Sequence, residues 1–498
     1  MNNPITKAIA PGIILGAILL GLVPLISFAI ERGGFLNAGI DPAIVHVLWF
    51  TLKQAFLSTS ISVVLGIFVS RALSRRQFLG RELLLSLLAV PLAMPAIVVV
   101  LAITAIYGAQ GLLGGWFNLY GLNGILLAHV FFNFPLATRL LVEALNTIPQ
   151  ENFRLAEQLN FSSRAIFHNL EWPVLRNTLP RICGLIFLLC AASFVIVLTL
   201  GGPSATTLEV AIYQSLRQDF DVARALNLSL VQILLCLALI FAAGKMALHN
   251  SALSSFKTTT IRRDGQSAAA KAFDLLALTI ALLLIGPPLI ALIVSGITYL
   301  NFNLQACVTS IAIALPAALL SVSLAWALAR HDNFATHVAA LATLIVPPAV
   351  LATGWFLALR RFDESLLVVI ISIIALNTLM ALPFSVSVLA PAFAQITQMH
   401  GRLCAQLNIS GWNKLRRIDL PMMRRPLAQA LLMSFVLSLG DLTAVTLLGT
   451  QGLVTMPSLI HQQMGHYRGN DAGGTALLLA AFCFALTLIA QRLGKSND

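Results

Sequence analysis

Five polar side chains lie within or beside long apolar stretches, where they need a partner or a function: Asp441, His129, Asn133, Asn377 and Glu209. A carboxylate in a membrane-embedded segment usually faces a cavity or a polar partner. Asp441 is therefore predicted to line a translocation path that favours a cation, or else to bond helices together. His129 and Asn377 hold positions 248 residues apart, and the same two roles stay open for them. Asn133 and Glu209 complete this candidate path. Asn133 could instead bond helices together, and Glu209 could belong to a gate or a docking face in the segment before the sixth span.

The sequence offers no residues for covalent catalysis or metal binding. It contains no HExxH motif, no nucleophile elbow and no P-loop. The one Gly-Lys-Ser, at Gly494-Lys495-Ser496, is not a P-loop because the required upstream glycine is replaced by Ile489. We therefore expect that the chain is not an enzyme, has no catalytic residue and holds no cofactor or metal of its own.

The elements that position these residues must lie in lipid. The chain has 498 residues, of which 58% are hydrophobic and only 10% are charged, with a mean hydropathy of +0.89. A soluble domain usually carries about 25% charged residues, so a water-soluble protein is excluded. The composition predicts an all-α polytopic membrane protein.

Twelve segments are long and apolar enough to cross a bilayer, since a spanning helix needs about 20 apolar residues. They are residues 11–30, 46–73, 83–107, 122–145, 180–200, 227–248, 272–296, 305–329, 336–359, 366–390, 427–449 and 474–492. With the N-terminus inside, 24 of the 31 Lys and Arg residues fall on the inner side and 6 on the outer side. This excess predicts a cytoplasmic N-terminus and C-terminus. The net charge of +12 is therefore assigned to topology, and no nucleic-acid partner is expected.

Two polar loops, residues 146–179 and 394–426, repeat each other at a fixed spacing of 248 residues. Arg154, Asn160 and Pro173 of the first loop recur as Arg402, Asn408 and Pro421 of the second. We predict two parallel six-helix repeats, residues 1–250 and 272–498, that pack about a pseudo-twofold axis along the membrane normal. The polar stretch 251–271 would be a cytoplasmic linker.

Each loop is predicted to form two short helices joined by a turn. The first helix would end at Asn160 or Asn408 in the left-handed conformation, and Ser162 or Ser410 would cap the second helix. That helix would carry apolar pairs on one face, namely Phe167 with Leu170 and Leu415 with Ile418. Pro173 or Pro421 would then end it. Such an amphipathic helix suits a groove on a cytoplasmic partner, or else it lies on lipid headgroups.

The spacing of these loops resembles that of the inner-membrane subunits of ABC importers. Their cytoplasmic EAA loop has the form EAA-x3-G-x9-I-x-LP and couples the permease to its ATPase. Ala156 matches its second alanine, Leu170 and Ile418 stand at its isoleucine position, and both prolines match its end. Arginine replaces the leading glutamate in both copies, at Arg154 and Arg402, and asparagine replaces the glycine. The resemblance implies a type I ABC importer permease fold with ATPase-coupling loops at 146–179 and 394–426.

Longer stretches, at residues 120–135, 200–214, 438–441 and 462–468, resemble the thiamine branch of this family. That resemblance implies import of thiamine or its phosphates across the bacterial inner membrane, with Asp441 favouring the cationic thiazolium. It also implies two copies of a cytoplasmic ATPase that binds ATP and Mg²⁺, a periplasmic substrate-binding protein and surrounding membrane lipid. The closest alternative is a ferric-iron ABC permease. A twelve-helix secondary transporter and a membrane-embedded enzyme are less favoured alternatives.

Overall fold

The computed structural model describes residues 4–31, 42–109, 111, 113–114, 118–202, 205–246, 263–300, 302–331, 334–359, 365–407, 409, 411–450, 452–465 and 469–494. Throughout these ranges the regular structure is helical, and they contain no strand. The all-α prediction is therefore confirmed.

The described residues of the first half form twelve α-helices. They are α1 (Pro4–Glu31), α2 (Pro42–Arg75), α3 (Arg81–Leu87), α4 (Val90–Ala93), α5 (Ala96–Tyr107), α6 (Leu122–Leu145), α7 (Gln150–Gln158), α8 (Ser163–Ile166), α9 (Trp172–Ala191), α10 (Val195–Leu200), α11 (Leu208–Arg217) and α12 (Val222–Met246).

The described part of the second half contributes ten more. They are α13 (Ala268–Thr298), α14 (Leu304–Arg330), α15 (Phe334–Ile345), α16 (Pro348–Leu359), α17 (Leu366–Gln406), α18 (Gly411–Lys414), α19 (Leu420–Leu439), α20 (Thr443–Leu448), α21 (Met456–Gly465) and α22 (Gly469–Gly494). Many bounds repeat at the predicted spacing: α9 and α19, α10 and α20, and α11 and α21 each begin 248 residues apart. The division at 251–271 stays a prediction, because residues 247–262 lie outside the described ranges.

By length and composition, nine of the described helices can cross a membrane, or eleven if each of two bent pairs is one span. Four of the twelve predicted spans are not single straight helices. Spans 83–107 and 336–359 are bent by 112° and 93°. The cause is proline, because the residue before proline avoids the helical conformation, and Met94, which precedes Pro95, is extended. Spans 180–200 and 427–449 are interrupted after Ala191 and Leu439.

The first helix of each half packs against the opposite half. Helix α1 lies along α15 and α16, while α13 lies along α2 and α5. The α1–α16 crossing is close because it uses glycine: a Cβ atom at Gly354 would lie 1.8 Å from the carbonyl oxygen of Gly21. The Trp355 indole N–H donates to the carbonyl of Ala17 at 2.9 Å. This exchange of helices joins the two halves into one bundle.

Candidate functional site

Both repeated loops lie at one end of the bundle, together with the C-termini of α2 and α14. We call this the basic end, because it carries Arg71, Arg75, Arg76 and Arg330. In the first loop, α7 ends in a turn where Asn160 has a φ of 52°. The hydroxyl of Ser162 then accepts a hydrogen bond from the Ala165 N–H at 3.3 Å. The predicted left-handed Asn160 and the predicted Ser162 cap are therefore confirmed.

The second loop has the same order of elements. Helix α17 ends at Gln406, and α18 is followed by a π-helical turn, Leu415–Asp419, that matches the turn Phe167–Glu171 of the first loop. Asn408 and Ser410 lie outside the described residues, so their predicted turn and cap stay predictions.

One prediction about both loops was wrong: Pro173 and Pro421 do not end a detached helix. Each loop helix continues through its π-helical turn into the following long helix, α9 or α19. The Trp172 N–H bonds back to the Phe167 carbonyl, five residues earlier. Each proline directly follows the π-helical turn, as the second residue of the next helix, so its missing N–H falls where the regular hydrogen-bond pattern of the α-helix is already interrupted. The loop and the long helix are thus one continuous helical path.

The apolar side chains of the loops divide into two sets. Phe167, Leu170, Leu415 and Ile418 are only half-buried, and the Phe167 ring lies 6.0 Å from that of Trp172. Leu155 and Leu403 are more exposed, at 55% and 52%, and so are Leu159 and Leu407, one turn further on. Arg154 and Arg402 beside them are also exposed, whereas Ala156 is buried. These four leucines are not among the predicted coupling residues, although they recur at the spacing of 248 in the sequence.

The first loop is anchored to α2 by a buried ion pair. Arg71 donates from Nε to the Glu171 carboxylate at 2.6 Å, and Glu171 is fully buried. The same guanidinium donates to the Ser163 carbonyl at 2.9 Å and lies 4.8 Å from the centre of the Phe167 ring. Arg71 therefore holds both the start and the end of the loop helix.

The second loop has an equivalent arginine and an equivalent carboxylate, but these two side chains do not form the corresponding hydrogen bond. In α2 and α14 equivalent residues are 259 apart, because Thr51 accepts from the Leu208 N–H as Ser310 accepts from the Met456 N–H. Arg330 thus corresponds to Arg71, and Asp419 corresponds to Glu171. Asp419 is buried, yet neither of its oxygens has a hydrogen-bond partner among the described residues. Burial raises the pKa of Asp419, while Lys414 and Arg330 act to lower it.

Two of the candidate path residues bond helices in the first half. His129 Nδ1 lies 3.1 Å from the Ser58 hydroxyl, and Asn133 donates to the sulfur of Cys190 at 3.3 Å. The other ring nitrogen of His129, Nε2, is buried and has no partner in the described part of the chain.

Two further candidates line one small cavity in the second half. Asn377, Ser438 and Asp441 border a space of about 90 Å³. Asn377 donates to the Ser438 hydroxyl at 2.9 Å, and its carbonyl oxygen has no partner among the described residues. The Asp441 carboxylate accepts from the N–H groups of Thr443 and Ala444, at 3.1 and 2.9 Å. Asp441 therefore accepts hydrogen bonds from the first two N–H groups of α20 and also forms a wall of the cavity.

Glu209 lies in α11, apart from that cavity. It is buried, and Gln232 of α12 donates to its carboxylate at 3.5 Å. Of the five candidate path residues, only Asn377 and Asp441 line the same cavity. His129, Asn133 and Glu209 lie elsewhere, and each bonds to a side chain of a neighbouring helix.

Residues 62–249 match the family described as the binding-protein-dependent transport system inner membrane component. The whole chain is also similar to curated thiamine transport system permease proteins. It is 41% identical to the Brucella abortus protein, with 100% of this chain and 97% of that protein covered. The Escherichia coli protein is 41% identical with 92% and 90% covered, and the Haemophilus influenzae protein 35% identical with 92% and 90% covered. The chain therefore belongs to the family of binding-protein-dependent inner-membrane permeases that includes these thiamine transport proteins.

Proposed function

We propose that this chain is the permease subunit of an ABC importer that carries thiamine from the periplasm to the cytoplasm. The observation that carries the proposal is the similarity of the whole chain, at 41% identity, to thiamine transport system permease proteins. No comparable observation favours ferric iron or a secondary transporter. The chain would supply the path, and ATP hydrolysis in a separate subunit would supply the energy.

The basic end would face the cytoplasm and bind the ATPase. The fourfold excess of inner over outer basic residues supports this orientation. The exposed leucines Leu155 and Leu403, each beside an exposed arginine, give two equivalent apolar and cationic patches. Two equivalent patches fit two copies of one ATPase, which would hold the ATP and Mg²⁺.

Movement of the ATPase would reach the membrane through the continuous helical paths. Because α8 runs through its π-helical turn into α9, a push on the loop displaces the long helix as well. Alternating access then needs the two halves to move relative to each other about the path. A periplasmic substrate-binding protein would deliver thiamine at the opposite end.

A path that runs past Asp441 would be narrow in this structure. A cavity of about 90 Å³ holds roughly three water molecules, since water occupies about 30 Å³ in the liquid. It is therefore too small for a substrate with two rings, and transport requires it to open. The buried atoms without partners, Nε2 of His129 and Oδ1 of Asn377, would then be free to bind substrate or water.

The test is uptake of labelled thiamine by cells that lack their own thiamine permease and express this chain with its ATPase and binding protein. We expect uptake that requires all three proteins and is not reduced by excess ferric iron. Asp441→Asn should lower uptake if the carboxylate favours the cationic substrate, while Asp471→Asn, at the start of α22, serves as the control. Uptake of iron without thiamine would overturn the proposal.

A further inference from the structure

A long apolar groove lies on the surface between α3 of the first half and α13 of the second half. Its volume is about 610 Å³. One wall is a stripe of α13, including Leu275, Leu278 and Leu282, and the other wall includes Leu83 and Leu87 of α3. No described helix covers it, since Leu83 and Leu275 are 75% and 67% exposed. In a spanning protein such a surface faces lipid.

The groove is about as long as one leaflet of the bilayer is thick. Lys271 lines one end and Leu282 lies eleven residues further along α13. At 1.5 Å per residue this is about 16 Å. The hydrocarbon core of a bilayer is about 30 Å thick, so each leaflet contributes about 15 Å. The groove therefore matches one acyl chain in one leaflet.

Two cations line the end of the groove that lies at the basic end. Lys271 is exposed, and Arg76 is partly held by Asp274 and by the Gly265 carbonyl, to which it donates at 2.7 Å. Asp274 also pairs with Arg75, and Asp264 lies 3.9 Å from Arg75. Three cations thus face two carboxylates, and the mouth of the groove keeps a net positive charge.

We propose that this groove binds one anionic phospholipid of the cytoplasmic leaflet. Lys271 and Arg76 bind its phosphate, and an acyl chain lies along the leucines of α13 and α3. Basic pockets between membrane helices on the cytoplasmic side are suited to such headgroups. The site rests on the proposed orientation of the basic end but not on the identity of the transported substrate.

The bound lipid fills a junction between the two halves of the chain. Helix α3 follows Arg75, the last residue of α2, and Arg76, which both pair with Asp274 of α13, so the groove and these ion pairs belong to one contact. A lipid that packs on both helices therefore strengthens that contact. We expect it to raise the thermal unfolding midpoint of the purified protein.

The experiment uses the full chain, purified in detergent and stripped of lipid. Phosphatidylglycerol, phosphatidylcholine and glycerol 3-phosphate are titrated separately, with bound lipid measured by native mass spectrometry and stability by thermal unfolding. We expect phosphatidylglycerol to bind and stabilise, and the other two to do neither. Equal effects of phosphatidylcholine, or stabilisation by glycerol 3-phosphate alone, would overturn the proposal.

Two variants locate the site. Lys271→Gln should weaken phosphatidylglycerol binding about fivefold, the effect expected for one cation at an anionic surface. Thr279→Trp, in the same wall, should block the acyl chain while leaving every charge in place. Arg181→Gln removes an exposed cation of α9 outside the groove and should leave binding unchanged. Unchanged binding in both groove variants contradicts the site. Loss of thiamine uptake with lipid binding intact would count against the proposed function alone.

Discussion

The two loop regions at the basic end have the same backbone plan but different attachments to the bundle. Each runs from a short helix through a π-helical turn into a long helix. In the first region Arg71 bonds directly to Glu171, whereas in the second Asp419 has no hydrogen-bond partner among the described residues. The comparison teaches that a repeated sequence can keep the backbone shape of a loop while changing how the loop is attached to the rest of the protein.

The helices that enter the two loops also differ. In the first half α6 ends at Leu145 and α7 starts after Pro149, while in the second half α17 is continuous through Thr397, the equivalent position. Proline removes a backbone N–H and disfavours a helical residue before it. The break before α7 therefore coincides with Pro149 in the first loop, whereas α17 continues through its own Pro383 and Pro391 and has no break at the equivalent position.

The largest expected effect comes from removing Arg71. Arg71→Ala leaves the fully buried Glu171 without its cation, which should lower the free energy of unfolding by about 4 kcal/mol. Denaturant unfolding of the purified chain in detergent measures the loss. Arg330→Ala is the matched control and should cost much less, because Arg330 is exposed. Equal losses would contradict the difference in attachment.

A proline transferred between the halves should have the next largest effect. Thr397→Pro places a proline inside α17 and should cost about 3 kcal/mol, because it removes a helical hydrogen bond and clashes with the preceding turn. Thr397→Ala at the same exposed position is the control. Denaturant unfolding in detergent measures the free energy of unfolding of both variants. A Thr397→Pro protein as stable as the control would contradict the role given to proline in breaking the helix that enters the first loop.

The exposed leucines should matter for binding rather than stability. Leu155→Ala and Leu403→Ala should each weaken ATPase binding about tenfold, or about 1.4 kcal/mol, if both loops form equivalent contacts. Pull-down or calorimetric titration of the purified subunits provides the measurement. Leu79→Ala, an exposed leucine outside the loops, is the control. An effect confined to one leucine would show that the two docking patches are not equivalent.

The smallest expected effect is a pH dependence at Asp419. Its raised pKa means that the folded state binds this proton more tightly than the unfolded state. Ionised Asp419 therefore costs stability, and the cost grows as the pH rises from the ordinary carboxyl range to the raised pKa. Asp419→Asn should then be at least as stable as the parent chain near neutral pH. The difference should shrink as the pH falls, and a variant that loses stability at neutral pH would contradict this sign.

The sequence alone determined the features that depend on composition or on neighbouring residues. Scarce charge and long apolar runs are enough to place a chain in lipid. The repeat is visible because polar and proline residues recur in register, as at Arg154 and Arg402. The Asn160 turn and the Ser162 cap were also predictable, because both are local properties of the backbone.

Only the tertiary structure decided the features that depend on distant residues. The Arg71–Glu171 pair joins residues 100 positions apart, whereas the corresponding Arg330 and Asp419, an arginine and a carboxylate side chain one methylene shorter, do not form that hydrogen bond. The packing of α1 and α13 against the opposite halves likewise depends on contacts between helices that are distant in sequence. Composition tells which side chains avoid water. It does not tell which partner a buried charge meets, because that depends on how helices distant in sequence come together.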